Sequence, residues 1–162
     1  MKVLAIDTGG ECCAVSLHIN GQLAAEQIVA TGRDQAKILA PLTAEVLNEH
    51  ALQVSDIDRF GIATGPGSFT GLRVGLAFIR GLALASGKQA YGFDHFTILA
   101  HALKGNPYPI LIIRESKRDD LFCAWLGTDG KLSEYFLSPA KLIVETLPRD
   151  KPFAITGNGV AS

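Results

Sequence analysis

Clustered positive charge is missing from this 162-residue chain: 15 Lys and Arg stand against 16 Asp and Glu, for a net charge of −1. Neutralising a phosphate backbone takes grouped cations, so the chain alone is a poor nucleic-acid binder. No aromatic-rich RNA-reading motif is present either. The densest charge cluster, Arg114 to Asp120, is of mixed sign and reads as a solvated turn or strand end. The three cysteines, Cys12, Cys13 and Cys123, have no C-x-x-C spacing. On a strand, Cys12 and Cys13 point to opposite faces and do not share a metal; reduced, buried thiols are the expectation. Among His18, His50, His95 and His101 no pair is three or four apart, and H-E-x-x-H is missing, so no metal site is expected. There is no G-x-x-x-x-G-K-[ST], Gly65, Gly67, Gly71 and Gly75 do not make G-x-G-x-x-G, and Ser68 does not sit in G-x-S-x-G. No catalytic residue is assigned. The opening apolar run is too short for a signal peptide and meets Asp7 early, and no stretch of about 20 uncharged apolar residues occurs. A cytoplasmic chain without membrane association is expected.

What the chain does have is 48% hydrophobic and 19% charged residues, enough for a sizeable core in one domain or two small ones. Val3 to Ile6 reads as a buried strand ending at the Asp7-Thr8-Gly9-Gly10 turn. Cys13 to Ile19 and Leu23 to Val29 flank Asn20-Gly21, a two-residue hairpin signal. Asp34 is a candidate N-cap for a helix to about His50, with Ile38, Leu39, Leu42, Val46 and Leu47 on one face. Pro41 removes a donor there, predicting a kink or a late start. Phe60 to Ala63, a glycine-rich turn, a long helix, a strand at Gln89 to Gly92 and a helix over Phe96 to Leu103 complete a first lobe, 1–103. Gly105, Asn106, Pro107 and Pro109 mark the boundary. A second lobe, 108–162, has strands at Ile110 to Ile113, Leu121 to Leu126 and Leu132 to Leu137. A helix from Pro139 to Leu147 and a strand at Phe153 to Thr156 follow. The expected class is α/β, with mixed sheets in two lobes and the second lobe incomplete.

Residues 65–87, GPGSFTGLRVGLAFIRGLALASG, carry the most information. Strand, tight turn and helix N-terminus aim free backbone N–H groups at one small volume, which suits an anion. Ser68 or Thr70 can also cap the helix. Wound at about 100° per residue, the helix has an apolar arc of roughly 280°, far wider than a surface helix needs. Either it is wholly buried in its own monomer or a second protein covers one side. Arg73 and Arg80 lie together, as rim charges or as solvated ones. Gly67, Gly71 and Gly75 recur every four residues and admit a close neighbour.

The string GPGSFTGLRVG resembles the hallmark of the TsaB (YeaZ) family, and LAIDT near the start and GNG near the end fall where that family has them. The resemblance implies the α/β actin-like ATPase (ASKHA, ribonuclease H-like) fold. Asp7, Thr8, Gly9, Gly67 and Ser68 then form a candidate anion or nucleotide loop, although Asp7 can equally be satisfied by backbone N–H groups of its own turn. A second acidic glycine turn is represented only by Thr128-Asp129-Gly130, which reads as well as a plain hairpin. The resemblance further implies a non-catalytic subunit that binds the catalytic subunit TsaD in forming N6-threonylcarbamoyladenosine at position 37 of tRNA. An ATPase subunit, TsaE, joins them; tRNA is met only through the complex, and a homodimer forms when the chain is alone. TsaD has an H-x-x-x-H metal motif that this chain does not share. No cofactor of its own is implied, ATP or ADP being placed at the partner interface. The expected interface comprises Leu39, Leu42, Val46, Gly71, Leu72, Gly75, Leu76 and Ile79, and Gly75→Leu is expected to abolish association while leaving the monomer folded. Two departures stand out: Gln35 where many relatives have His, and Glu115-Ser116-Lys117-Arg118 where they have a short Asp-led segment. An autonomous kinase-like ATPase of the same superfamily is the alternative.

Overall fold

The computed structural model describes residues 1–30, 32, 34–116 and 118–160. The chain forms two compact units, Met1–Phe93 and Asp94–Ser162. In the first, β1 (Lys2–Asp7), β2 (Cys12–Ile19) and β3 (Gln22–Ala30) make an antiparallel meander. Asn20 and Gly21 both take positive φ, 53° and 83°, the conformation a two-residue turn between right-twisted strands requires. Helix α1 (Gln35–Asn48) and a short 3₁₀ turn (Val54–Asp56) lead to β4 (Arg59–Ala63), which lies parallel to β1. Helix α2 (Phe69–Ser86) then returns the chain to β5 (Gln89–Phe93), parallel to β4. The sheet order is β3-β2-β1-β4-β5.

Alternation decides the core. Leu4 and Ile6 of β1, Cys13, Val15 and Leu17 of β2, and Phe60 and Ile62 of β4 share one face, against which Leu39, Leu42, Val46 and Leu47 of α1 and Ile79 and Ala83 of α2 pack. Helix α1 begins at Gln35, ahead of Pro41, so the late start expected from the proline does not occur. Asp34 precedes it without a side-chain capping bond; its carboxylate pairs with Lys37 at 3.0 Å instead. The buried Gln35 amide donates to Gly32 O at 2.9 Å and ties the segment before the helix to its first turn.

The second unit starts earlier than the Gly105–Pro109 punctuation predicts. Helix α3 (His95–Ala102) belongs to it because Phe96 and Ala100 pack on Ile110, Ile112, Ala124 and Leu126 of the second sheet. That sheet comprises β6 (Ile110–Glu115), β7 (Asp120–Leu126), β8 (Phe136–Pro139) and β9 (Ala154–Thr156), in the order β8-β7-β6-β9. Helix α4 (Ala140–Thr146) covers its other face through Ile143, against Leu111, Ile113, Leu121 and Cys123. The third strand begins at Phe136 rather than Leu132, which makes a single bridge to Leu126. Both sheets share one plan: three antiparallel strands, a helix, and a strand returning parallel to the first.

Candidate functional site

The turn after β1 and the glycine loop after β4 close on each other. Gly9 N–H donates to Asp7 Oδ1 at 2.8 Å, and Ser68 N–H donates to Gly9 O at 2.7 Å. The buried Thr8 hydroxyl donates to Gly71 O at 2.7 Å, and Gly71 N–H donates to Ser68 Oγ at 3.2 Å, so Ser68 is the N-cap. A Cβ at Gly67 would come within 3.0 Å of Gly9 O; one at Gly71 would do the same to Thr8 O, and one at Gly75 to Thr8 Oγ1. The four-residue glycine repeat therefore serves a contact inside the unit: it lets α2 lie directly on the β1–β2 turn. Of the candidate anion loop, Asp7, Thr8, Gly9, Gly67 and Ser68 are indeed brought together. Their hydrogen-bonding groups are directed at one another, and Thr8 and Gly9 are buried.

The second unit repeats this device at the GNG string, residues 157–159. Gly157, at φ +116°, follows β9, and a Cβ there would come within 3.0 Å of Ile113 O, toward which Gly159 N–H points at 3.3 Å. Glu115 N–H donates to Asn158 Oδ1 at 3.2 Å. So GNG stands to β6 as the first glycine loop stands to β1, whereas Thr128-Asp129-Gly130 is a plain turn in which Asp129 Oδ1 accepts from Lys131 N–H at 3.1 Å. In the departing segment 115–118, Ser116 Oγ accepts from Arg118 N–H at 3.1 Å and its hydroxyl donates to Asp120 O; Lys117 lies outside the described residues. Arg114 Nη2 stands 3.2 Å from His95 Nδ1, a pairing between β6 and the start of α3 that separation in sequence concealed. A guanidinium only donates, so this ring nitrogen is the acceptor.

The helix faces require a correction. Leu39, Leu42 and Val46 are 1%, 5% and 0% exposed, and Ile79 is 0% exposed. They face their own sheet, as do Gly71 and Gly75, so none of these six can form a docking surface. Gly75→Leu would press on Thr8 and Ile62 inside the unit and is not a clean probe of association. Of the expected interface, Leu72 is half-buried and Leu76 is 43% exposed. The outward face of α2 consists instead of Phe69 (70% exposed), Arg73, Leu76, Ala77, Arg80, Gly81 and Leu84 (86% exposed). Beside it a groove of about 380 Å³ runs between the helices, lined by Ala40, Ala44 and Leu47 of α1 and Phe78 and Leu82 of α2. By length and composition α2 could cross a membrane, but its place between two parallel strands lays it along the sheet.

A family model described as TsaD, tRNA N6-adenosine threonylcarbamoyltransferase, matches residues 25–154. The TsaB of Escherichia coli (strain K12), a tRNA threonylcarbamoyladenosine biosynthesis protein, is 35% identical over 147 residues, covering 86% of this chain and 63% of its own length. The TsaB of Haemophilus influenzae is 28% identical over 180 aligned residues, covering the whole chain and 74% of its own length. This chain belongs to that family, among the TsaB (YeaZ) proteins. YeaZ from Pseudomonas aeruginosa has the same fold, with a TM-score of 0.78 at 22% identity over 96% of this chain and 84% of that one. The fold is the α/β actin-like ATPase type. In this TsaB-type chain the family's glycine string marks the seat of α2 on the first turn, and the face it leaves outward is the feature that remains to be used.

Proposed function

We propose that this chain is a non-catalytic subunit that docks on a TsaD-type threonylcarbamoyltransferase and supports formation of N6-threonylcarbamoyladenosine at position 37 of tRNA. The observation that carries the proposal is the outward face of α2. Phe69, Leu76, Ala77 and Leu84 lie along it with the apolar groove beside them, while the glycine loop beneath is satisfied by its own turn. An apolar helix face of this length, next to a groove between two helices, fits a helix pair of a partner. With a net charge of −1, the chain leaves tRNA to be met through the complex. A TsaE-type ATPase joins the assembly in this reading, and ATP or ADP is held at the interface with the partner rather than by this chain alone. Without the partner, the same face is open to a second copy.

The experiment is co-purification with the TsaD-type protein of the same organism, followed by a tRNA modification assay with and without this chain. Association together with modification that depends on the chain supports the reading. An autonomous kinase-like ATPase would instead bind and turn over ATP when purified alone, without any partner. The hydrogen bonds that Thr8 Oγ1–H, Gly9 N–H and Ser68 N–H make within the unit favour the subunit reading, because these three donors are already engaged.

A further inference from the structure

Resting on the subunit role proposed above, we infer that one end of the first sheet, where its parallel strands begin, binds the phosphodiester backbone of RNA held by the assembled complex. The sequence has no basic run, yet the fold gathers cations from four separated segments. Val3, Arg59 and Gln89 are register partners on β1, β4 and β5, so Lys2, Asp58 and Lys88 stand side by side just ahead of them. At about 4.8 Å between neighbouring strands, Lys2 and Lys88 begin strands roughly 10 Å apart. Arg80, in the second half of α2, shares with Lys88 a shallow depression of about 510 Å³. Arg59 is exposed on the face opposite Phe60, its guanidinium carbon 5.6 Å from the Tyr91 ring centroid. The cations therefore wrap the end of the sheet.

Two carboxylates stand near them. Asp58 lies between the lysines and accepts Lys2 N–H at 2.6 Å. That bond first, and the charges of the Met1 amine, Lys88 and Lys2 after it, hold its carboxyl below the usual value against partial desolvation. Asp56, in the preceding 3₁₀ turn, accepts from Gln53 N–H at 2.8 Å. Glu26 is on the edge strand β3, with β2 and β1 between it and β4. None of Lys2, Arg59, Arg80 and Lys88 makes an ion pair among the described residues. Cations thus outnumber carboxylates at this end, in a chain whose total charge is −1. A polyanion responds to such a local excess, because charges farther away than a Debye length are screened. A guanidinium stacked on a ring keeps its N–H edge for phosphate oxygens. So few contacts do not hold RNA on their own, so this end acts on RNA that the partner has already bound.

Binding of tRNA by the complex with the TsaD-type protein of the same organism is measured by fluorescence anisotropy across a salt series. Arg59→Glu with Lys88→Glu should weaken tRNA binding at least fivefold at low salt. It should also lower the slope of log affinity against log salt by about 1–2, since each lost phosphate contact removes roughly 0.7–0.9. Association of the two proteins, read by calorimetry, should not change. Lys141→Glu with Lys151→Glu alters net charge equally on exposed sites of the second unit and should leave affinity and slope at their wild-type values. Hydrogen exchange in β1 and β4 checks the fold; if it rises, Arg59→Gln with Lys88→Gln is read instead, with the same direction expected. An equal loss in both reversal pairs makes the effect one of net charge and overturns the inference, as does an unchanged slope in a complex that still forms. Loss of protein association assigns this end to the protein partner and overturns it too. If the wild-type chain fails to associate at all, the docking role itself falls.

Discussion

Adding one methyl group at two glycines of the same helix should move stability in opposite directions. Gly71 and Gly81 are ten residues apart in α2. A Cβ at Gly81 meets nothing within 4 Å, so Gly81→Ala receives only the gain in helix propensity, about 0.8–1 kcal/mol. A Cβ at Gly71 would stand 3.2 Å from the Thr8 carbonyl carbon and closer still to its oxygen. That obstacle is backbone and cannot swing aside, so α2 must lift from the turn. The lift strains the bond from the Thr8 hydroxyl to Gly71 O, worth about 1 kcal/mol, and adds overpacking of about 1–3 kcal/mol. After the same propensity gain, Gly71→Ala should be destabilised by about 1–3 kcal/mol, leaving about 2–4 kcal/mol between the two variants. Amide hydrogen exchange in β1 and β4 reads the first unit directly, and protection there should fall in Gly71→Ala and rise in Gly81→Ala. Equal protection in both variants would show that the turn does not sit on the helix, and the account of the glycine string would fail.

The second unit offers a matching test. Gly157→Ala combines positive φ with collision against Ile113 O and should cost that unit about 2 kcal/mol or more, read in the unfolding of the single tryptophan, Trp125. Asp94 caps α3, accepting from Thr97 N–H at 2.9 Å and Thr97 Oγ1–H at 2.6 Å, so Asp94→Ala should lose about 1 kcal/mol near neutral pH. Burial pushes the Asp94 carboxyl up, but these bonds outweigh it and hold it below its usual value. The stabilisation is thus present above the unfolded pKa of about 3.9 and fades as pH falls through the lower folded value, so melts of wild type and variant should converge as pH drops below about 4. Burial raises the Cys123 thiol to about 11, and burial followed by the Asp7 charge raises Cys13, whereas Cys12 is exposed. A disulfide reagent at pH 8 should therefore label Cys12 rapidly and the other two only after unfolding.

The order of elements was legible because its signals are local. Asn20-Gly21 demands a tight hairpin, β-branched runs bounded by turns mark the strands, and Ser68 caps α2 as its place before the apolar run suggests. The orientation of the helices was not. An apolar arc covering most of α2 does not say which side meets the sheet; Gly71 and Gly75 read as an invitation to a partner until the turn at Thr8 is found against them. Leu39, Leu42 and Val46 form an apolar stripe whether they face a sheet or a second protein, and here they face the sheet. Helix α3 follows β5 by a single residue, so only the packing of Phe96 and Ala100 assigns it to the second unit. The repeated plan of the two sheets, with GNG at Ile113 answering the first glycine loop at Gly9, rests on backbone approach and leaves little trace in side-chain pattern.

The outward face of α2 is the centre of the account, and Leu84→Asp tests it most directly. Leu84 is 86% exposed, so the substitution should leave hydrogen exchange in β1 and β4 unchanged. Calorimetric titration with the TsaD-type protein should show affinity reduced at least tenfold relative to wild type. Unchanged affinity in a variant that retains its fold would contradict the proposal that this face receives the partner.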